Sequence, residues 1–415
     1  MGKAVSPQTL KGFRDFLPAK MAVRNEVIRR LRGVFESFGF DELQTPALEY
    51  EEVLLGKYGK EAEKLMYLFK DPGGRGVGLR YDLTVPLARV AASYADLQMP
   101  FKRYQIQPAW RAENTQKGRY REFWQCDVDT VGSSSPLADA EIMAVTCEAL
   151  SNLGFKSFRL RVNSRVVLYK AMEKAGLTKD KWTTTIQSID KLDKKSKEEV
   201  EGELKERGLG LEEARSVFAE VEAAQPDEFL KEAMRWARKL GAGEKVVFDS
   251  TLSRGLDYYT GPIYESVVDE PKIGSITGGG RYDKLLATIG GPDLPACGTT
   301  IGLDRVVDVI EELDLWPDIK PTKTVVLVAI FSKKMAEDAA EIVCELRQRG
   351  INAELYADEK VKLEKQFKYA DKKGVDFVVV LGPEEKSEGK VTVKNLRKRE
   401  QVVVKREELV KLLAS

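Results

Sequence analysis

The sequence predicts an α+β domain, an antiparallel sheet with flanking helices and a helical insertion, followed by a smaller α/β domain. Three observations predict it. Short runs of β character, most of them separated by turn residues, fill residues 66–131 and return at 246–277. A charge-dense helical stretch lies between these groups, from about 170 to 240. Beyond Pro317 and Pro321 the rhythm changes to strands alternating with helices.

The elements follow in order. After a turn-rich opening, Val23, Val27, Ile28, Leu31, Val34, Phe35 and Phe38 recur at three- and four-residue steps. That spacing predicts a helix over 22–38, with Gly39 as its stop. A strand-like run at 42–46 comes next. Strand character then marks 67–70, 78–81, 101–110 and 122–131, with Pro72, Gly73 and Gly74 supplying a turn. Residues 83–94 and 137–153 read as helices. Strands return at 246–249, 263–268 and 275–277, and a helix over 301–313 closes the first domain, residues 1–320. In the second domain, 321–415, buried strands at 325–330, 353–356 and 377–381 alternate with helices at 335–349 and 363–373. That alternation predicts a mostly parallel sheet.

Composition narrows the chemistry. Lys and Arg total 67 against 66 Asp and Glu, so any nucleic-acid surface must be a local patch. One such cluster, Lys394, Arg397, Lys398 and Arg399, suits a solvated face as well as an RNA contact. The four cysteines are scattered without the close spacing of a zinc or redox motif, which favours reduced thiols in the cytosol. No apolar run approaches the roughly 20 residues of a membrane span. There are no histidines. That excludes His-based triads and HExxH metal sites, and it favours chemistry that needs no general base.

The most informative segment is 111–125. Two strand-like runs flank a polar loop that holds Arg111, Arg119 and Arg121. Arginine grips phosphate with a planar fork, so three of them near one hairpin suit a polyphosphate site. A solvated hairpin edge with surface ion pairs is the competing reading. Residues 253–261 put Arg254, Tyr258 and Tyr259 beside glycines in an expected strand-end loop. Gly278, Gly279 and Gly280 form a run that would let backbone approach a ligand closely, or a simple turn. Residues 298–305 set Arg305 on the opening turn of a helix.

These segments together resemble the class II aminoacyl-tRNA synthetases, specifically the histidyl-tRNA synthetase family. The 111–125 segment resembles the second class motif, 298–305 the third, and the helix before Pro46 the first, which forms the dimer interface. RGLDYYTG at 254–261 and GGRYD at 279–283 resemble signatures of the histidine enzymes. With LRYDLT at 79–84, the resemblance covers nearly the whole chain. It implies a cytosolic homodimer that activates histidine with ATP and loads it onto tRNA(His), with Mg2+ on the ATP phosphates, no zinc, and no DNA or membrane partner.

The resemblance also implies roles. Arg111 and Arg254 would be catalytic, at the α-phosphate and the reacting carboxylate. Glu113 would meet the adenine amino group and Phe123 its ring, while Arg119 and Arg305 hold the outer phosphates and Arg121 supports them. Asp82, Thr84 and Gln125 would bind the α-amino group of histidine. Asp129 and Tyr259 would contact the imidazole, with Tyr258 and Tyr282 lining the pocket. Gln116, Lys117, Arg397, Lys398 and Arg399 are candidates for tRNA contact, as are the lysines of the insertion. The chemistry needs no histidine, because the attacking carboxylate is already ionised and the adenylate phosphate can take the later proton. Two positions depart from the family pattern: Trp124 replaces a smaller aromatic, and Asn114 stands where arginine is common. Strand alternation would face Trp124 away from the pocket. The rival readings are a synthetase-like regulatory subunit of histidine biosynthesis, a tRNA-sensing module and a different class II specificity.

Overall fold

The computed structural model describes residues 6–56, 64–115, 118–192, 195–254, 258–271 and 273–414. The chain forms two compact units. One takes the residues up to Asp15 with Glu26–Trp316, and the other takes Phe16–Asn25 with Pro317–Ser415.

Eight strands of the first unit form one sheet. In chain order they are β1 (Asp41–Glu42), β2 (Phe101–Trp110), β3 (Glu122–Val131), β4 (Phe158–Ser164), β5 (Val246–Phe248), β6 (Pro262–Val268), β7 (Thr277–Arg281) and β8 (Ala296–Gly302). Their order across the sheet is β1-β2-β3-β8-β7-β6-β4-β5. The two edge pairings are parallel and the rest are antiparallel. The longest pairing, β2 with β3, runs in unbroken register from Phe101 opposite Val131 to Trp110 opposite Glu122. The helix Pro136–Asn152 packs on this sheet. Ser135 starts it, accepting from the Leu137 amide, and Pro136 fits its first turn. Its Ile142, Met143, Val145 and Leu150 are buried.

Three expectations shift. The runs expected at 67–70 and 78–81 do not join the main sheet. They become Leu68–Lys70 and Gly76–Leu79 in a separate three-stranded sheet, where Gly76–Leu79 lies between Leu68–Lys70 and Leu48–Tyr50. The run at 42–46 pairs only at its start, because Arg80 draws the backbone away: its Nη1 donates to the carbonyls of Thr45 and Pro46. The glycine run is neither turn nor loop. Gly278, Gly279 and Gly280 lie inside β7, between β8 and β6. Close packing explains the composition, since a Cβ on Gly279 would stand 2.1 Å from the Gly298 carbonyl oxygen.

The helical insertion has its own core. Met172, Ile189, Val200, Leu204, Val217, Phe218 and Val221 pack together across its first four helices. Ser196 and Glu199 form a reciprocal capping box at the start of Lys197–Glu206. The last helix of the stretch, Glu228–Ala237, instead packs against Pro136–Asn152. It starts at Asp227, whose side chain accepts from the Leu230 amide.

The second unit holds a five-stranded sheet of β9 (Val326–Ala329), β10 (Ala353–Leu355), β11 (Phe377–Val380), β12 (Lys390–Asn395) and β13 (Glu400–Lys405), in the order β10-β9-β11-β12-β13. The first three strands are parallel and the last two antiparallel. Alternate β9 residues serve two cores. Val326 and Val328 meet the helix Ala336–Gln348, while Leu327 and Ala329 meet Leu363–Lys373. Helices therefore cover both faces, as parallel strands require. The hairpin β12–β13 is absent from the sequence reading. The α+β and α/β classes expected for the two parts are those found.

We predict that Gly279→Ala destabilises the first unit by about 3 kcal/mol or more, since the added methyl has only backbone to displace. The urea midpoint measures this, and Gly33→Ala, at a helical glycine whose added methyl meets nothing within 4 Å, controls for the loss of a glycine alone.

Candidate functional site

A cavity of about 910 Å³ opens over one face of the large sheet. Its wall includes Asp82, Thr84, Arg111, Glu113, Arg119, Phe123, Gln125, Asp129, Arg254, Tyr258, Tyr259, Tyr282 and Arg305. Those are all the described residues named above for histidine and ATP except Arg121. The structure turns Arg121 to the back of the hairpin. Its Nε donates to the Glu113 carbonyl, its amide donates to the Gly12 carbonyl, and its side-chain carbons crowd Gly12. Gln116 and Lys117 lie outside the described residues. Arg397, Lys398 and Arg399 belong to the second unit, at the turn between β12 and β13. There the Asn395 side chain accepts from the amides of Arg397 and Lys398, and Arg397 pairs with Asp376 at 2.6 Å.

One part of the wall is cationic. Arg111 lies over the rings of Tyr81, at 4.4 Å, and Phe123, at 4.9 Å. Its Nε donates to the Tyr81 carbonyl. Glu113 accepts from the Tyr81 hydroxyl at 2.9 Å and pairs with Arg119 at 3.4 Å. Burial pushes the Tyr81 phenol up to about 12, so it remains a donor. Arg305 is fixed through Nε to the Gly118 carbonyl and Nη1 to the Ser275 carbonyl. Burial lowers its pKa first, and the facing Arg119, Arg254 and Arg111 lower it further. Four arginines crowd around one space, and only Glu113 on Arg119 and Glu265 on Arg254 offset them, which leaves a net positive field that suits an anion of high charge.

Arg254 has a left-handed backbone, φ 45°, uncommon for a side chain of its size. Arg165 holds that conformation by donating to the Arg254 carbonyl at 2.7 Å. The Arg254 guanidinium pairs with Glu265 at 3.3 Å. Burial opposes its charge, but Tyr259 and Glu265 outweigh burial and raise its pKa.

The other part of the wall is acidic. β3 carries Gln125, Asp127 and Asp129 at alternate positions, so all three share one face of the sheet. Arg103, fully buried, stands opposite Asp129 in the register. Its Nη2 reaches Asp129 at 2.9 Å and Asp127 at 4.0 Å, and it also donates to the Leu83 carbonyl. Tyr282 donates its hydroxyl to the other oxygen of Asp129. Burial and the Asp129 charge raise the Tyr282 pKa well above its ordinary value, so this donor does not ionise near neutral pH. Tyr258 lies between Tyr259 and Tyr282, with ring centroids at 4.6 and 6.0 Å.

Glycines clear the floor beneath these groups. A Cβ on Gly298 would sit 1.8 Å from an Asp129 carboxylate oxygen, one on Gly278 2.3 Å from the Arg254 guanidinium, and one on Gly280 2.8 Å from the Tyr259 ring. The glycine run thus makes room for side chains, and Gly278 and Gly279 also line the cavity.

Arg103, Asp127, Tyr81 and Glu265 were missed in the sequence. A signal existed for one of them: Asp127 sits between Gln125 and Asp129 in a strand of period two. Trp124 borders the cavity, against expectation. Its amide donates to Asp304, whose carboxylate also holds Arg14 at 2.6 Å, so the backbone here is drawn to the helix Leu303–Glu312.

Comparisons with known proteins agree with this geometry. The family model described as histidyl-tRNA synthetase matches residues 12–306, and the anticodon binding domain model matches residues 324–415. The histidine–tRNA ligase of Gloeobacter violaceus is 40% identical, with 95% of each chain covered. That of Aeropyrum pernix is 42% identical over 98% of this chain and 97% of its own. The crystal structure of histidyl-tRNA synthetase from Nostoc superposes with a TM-score of 0.85 at 29% identity, covering 99% of both chains.

We predict that Arg103→Met, which leaves Asp127 and Asp129 buried without their cation, costs about 3–5 kcal/mol of stability in a denaturant titration. A four-arginine wall, a carboxylate pocket on the neighbouring strands, and these matches over almost the full length lead to one assignment: the chain belongs to the histidyl-tRNA synthetase family.

Proposed function

We propose that the cavity performs both half-reactions of histidine–tRNA ligation, with its cationic wall taking ATP and its acidic pocket taking histidine. The ligase activity itself follows from the family. The single observation that carries the division of labour is the segregation of charge along one cavity.

In the first step the histidine carboxylate attacks the α-phosphorus and pyrophosphate leaves. The nucleophile is already ionised, so catalysis is positioning and neutralisation of phosphate charge. Arg111 and Arg254 would serve the reacting phosphate, and Arg119 and Arg305 the outer ones. Glu113 and Phe123 would hold adenine. Asp82, Thr84 and Gln125 would take the α-amino group, and Asp129 and Tyr259 the imidazole, with Tyr258 and Tyr282 lining the pocket. Tyr282 supports Asp129 by donating to it. Arg121, set behind the hairpin, would act only by holding the loop. In the second step a tRNA hydroxyl attacks the acyl carbon, the acyl–phosphate bond breaks, and AMP leaves with its phosphate accepting the hydroxyl proton.

Mg2+ suits the ATP side. The few carboxylates among the arginines, Glu113 and Glu265, fit a metal held mainly by substrate phosphates, which is how Mg2+ is usually bound. It would supply further neutralisation there. The 324–415 domain would bind the anticodon region, with Arg397, Lys398 and Arg399 as its candidate contacts. A homodimer accords with the half-exposed Leu48, Tyr50 and Phe69 on the small sheet. A cytosolic setting accords with four free cysteines, three of them buried. The regulatory-subunit reading is not favoured, because the chain keeps its phosphate-site arginines and an anticodon-binding domain.

The test is ATP–pyrophosphate exchange with each of the twenty amino acids, without tRNA. Exchange with histidine alone is expected. Arg254→Ala and Arg111→Ala should each lower its rate roughly 10²–10³-fold, and Arg121→Ala by less than either. No exchange with any amino acid, from folded protein, would overturn the assignment.

A further inference from the structure

We propose that Asp127 joins Asp82, Thr84 and Gln125 in seating the α-ammonium group of the amino-acid substrate, so that Asp127 is a substrate-binding residue. This rests on the ligase reading above and assigns a group that reading leaves unused.

Asp129 is engaged by Tyr282 and Arg103. One oxygen of Asp82 accepts from the amides of Thr84 and Val85, at 3.1 and 2.9 Å, and so starts the helix Thr84–Ser93. Gln125 and Asp127 differ. Gln125 donates its Nε2 to the Thr300 hydroxyl at 3.1 Å, which fixes the amide and leaves Oε1 buried with no hydrogen-bond partner. Thr300 in turn hydrogen-bonds Asp127. The Asp127 Oδ1 is also buried without a partner, on a residue only 2% exposed that lines the cavity. Two orphaned acceptors therefore stand two residues apart on one strand face. Buried polar groups are rarely left so, and each calls for a ligand donor.

The donor they suit has several N–H groups and a positive charge. A primary ammonium has three donors and no acceptor. A hydroxyl would satisfy one acceptor and leave the charge unmet. The charges point the same way. The groups facing Asp127 are Arg103 from β2, Asp129 from its own strand, Thr300 from β8, and Asp82 from the loop before Thr84. Three carboxylates thus face one cation, and an ammonium supplies a second.

Proton linkage follows. Burial, only partly offset by Arg103 and reinforced by Asp129, pushes the Asp127 carboxyl up to about 7. The empty pocket is therefore partly protonated at neutral pH. An arriving ammonium favours the ionised form and expels the proton. Below pH 7 that expulsion becomes costlier, so histidine binding weakens as pH falls.

Calorimetry on the full chain tests this with two ligands, histidine and 3-(imidazol-4-yl)propionate, which lacks only the amine. The unaltered protein should prefer histidine by roughly 10²-fold or more, because the analogue leaves buried acceptors unpaired. Asp127→Asn should weaken histidine by roughly tenfold to 10²-fold, the range of a charge-assisted bond. Binding of the amine-free analogue and of ATP should stay nearly unchanged. Proton release on binding histidine at pH 7, read in buffers of different ionisation enthalpy, should fall in the variant. Should that variant fail to fold, Thr300→Val unpins both acceptors and should weaken histidine alone. An Asp127→Asn protein that binds histidine as before, or that loses both ligands equally, overturns the proposal. An unaltered protein that binds no histidine overturns the ligase reading and this proposal with it.

Discussion

The pocket depends on one buried guanidinium. Arg103 lies near the start of β2, opposite Asp129, with no exposure to water, and reaches Asp129, Asp127 and the Leu83 carbonyl. Burying two carboxylates without a cation would be prohibitive, and burying one cation without them equally so. The contact also fixes geometry. It ties β2 to β3, and both to the loop that carries Asp82 and Thr84. Arg80 does comparable work nearby, donating to the carbonyls of Thr45, Pro46 and Pro108 and so pinning three chain segments. Both arginines place the amino-acid side of the cavity without touching what fills it.

The opposite wall is built on another principle. Two of its arginines are aimed by backbone carbonyls and aromatic faces, and the other two by Glu113 and Glu265. Arg111 rests on two rings and Arg305 on two carbonyls. Such fixation preserves net charge, whereas ion pairing would cancel it. The cavity can then hold an anion at one end and an ammonium at the other without internal collapse of one wall onto the other. The glycines of β7 and β8 complete the arrangement by leaving volume for Arg254, Tyr259 and Asp129 on an otherwise close-packed sheet.

Much of this was legible in the sequence. The strands at 101–110 and 122–131 were bounded correctly, because they alternate cleanly and turn residues flank them. The cavity residues were legible through motif resemblance, and strand period explains why Gln125 and Asp129 act together. What failed was non-local. Nothing local separates a glycine run that forms a turn from one that makes room for neighbours three strands away. The small sheet built on Leu48–Tyr50 needs a pairing partner almost thirty residues distant, which periodicity cannot supply. Arg121 looks like its neighbours Arg111 and Arg119, yet the crossing near Gly12 turns it away. The hairpin β12–β13 was hidden under charge, since its outer strand is exposed along nearly its whole length.

The pocket formed by Asp129, Tyr259 and Tyr282 contains no imidazole, and neither does any other part of the chain. A bound histidine would therefore be the sole imidazole in the complex. Labelled with 15N, its ring nitrogens would resonate with no protein imidazole to overlap them. The tautomer and protonation state of the ligand ring could be followed directly through binding and activation.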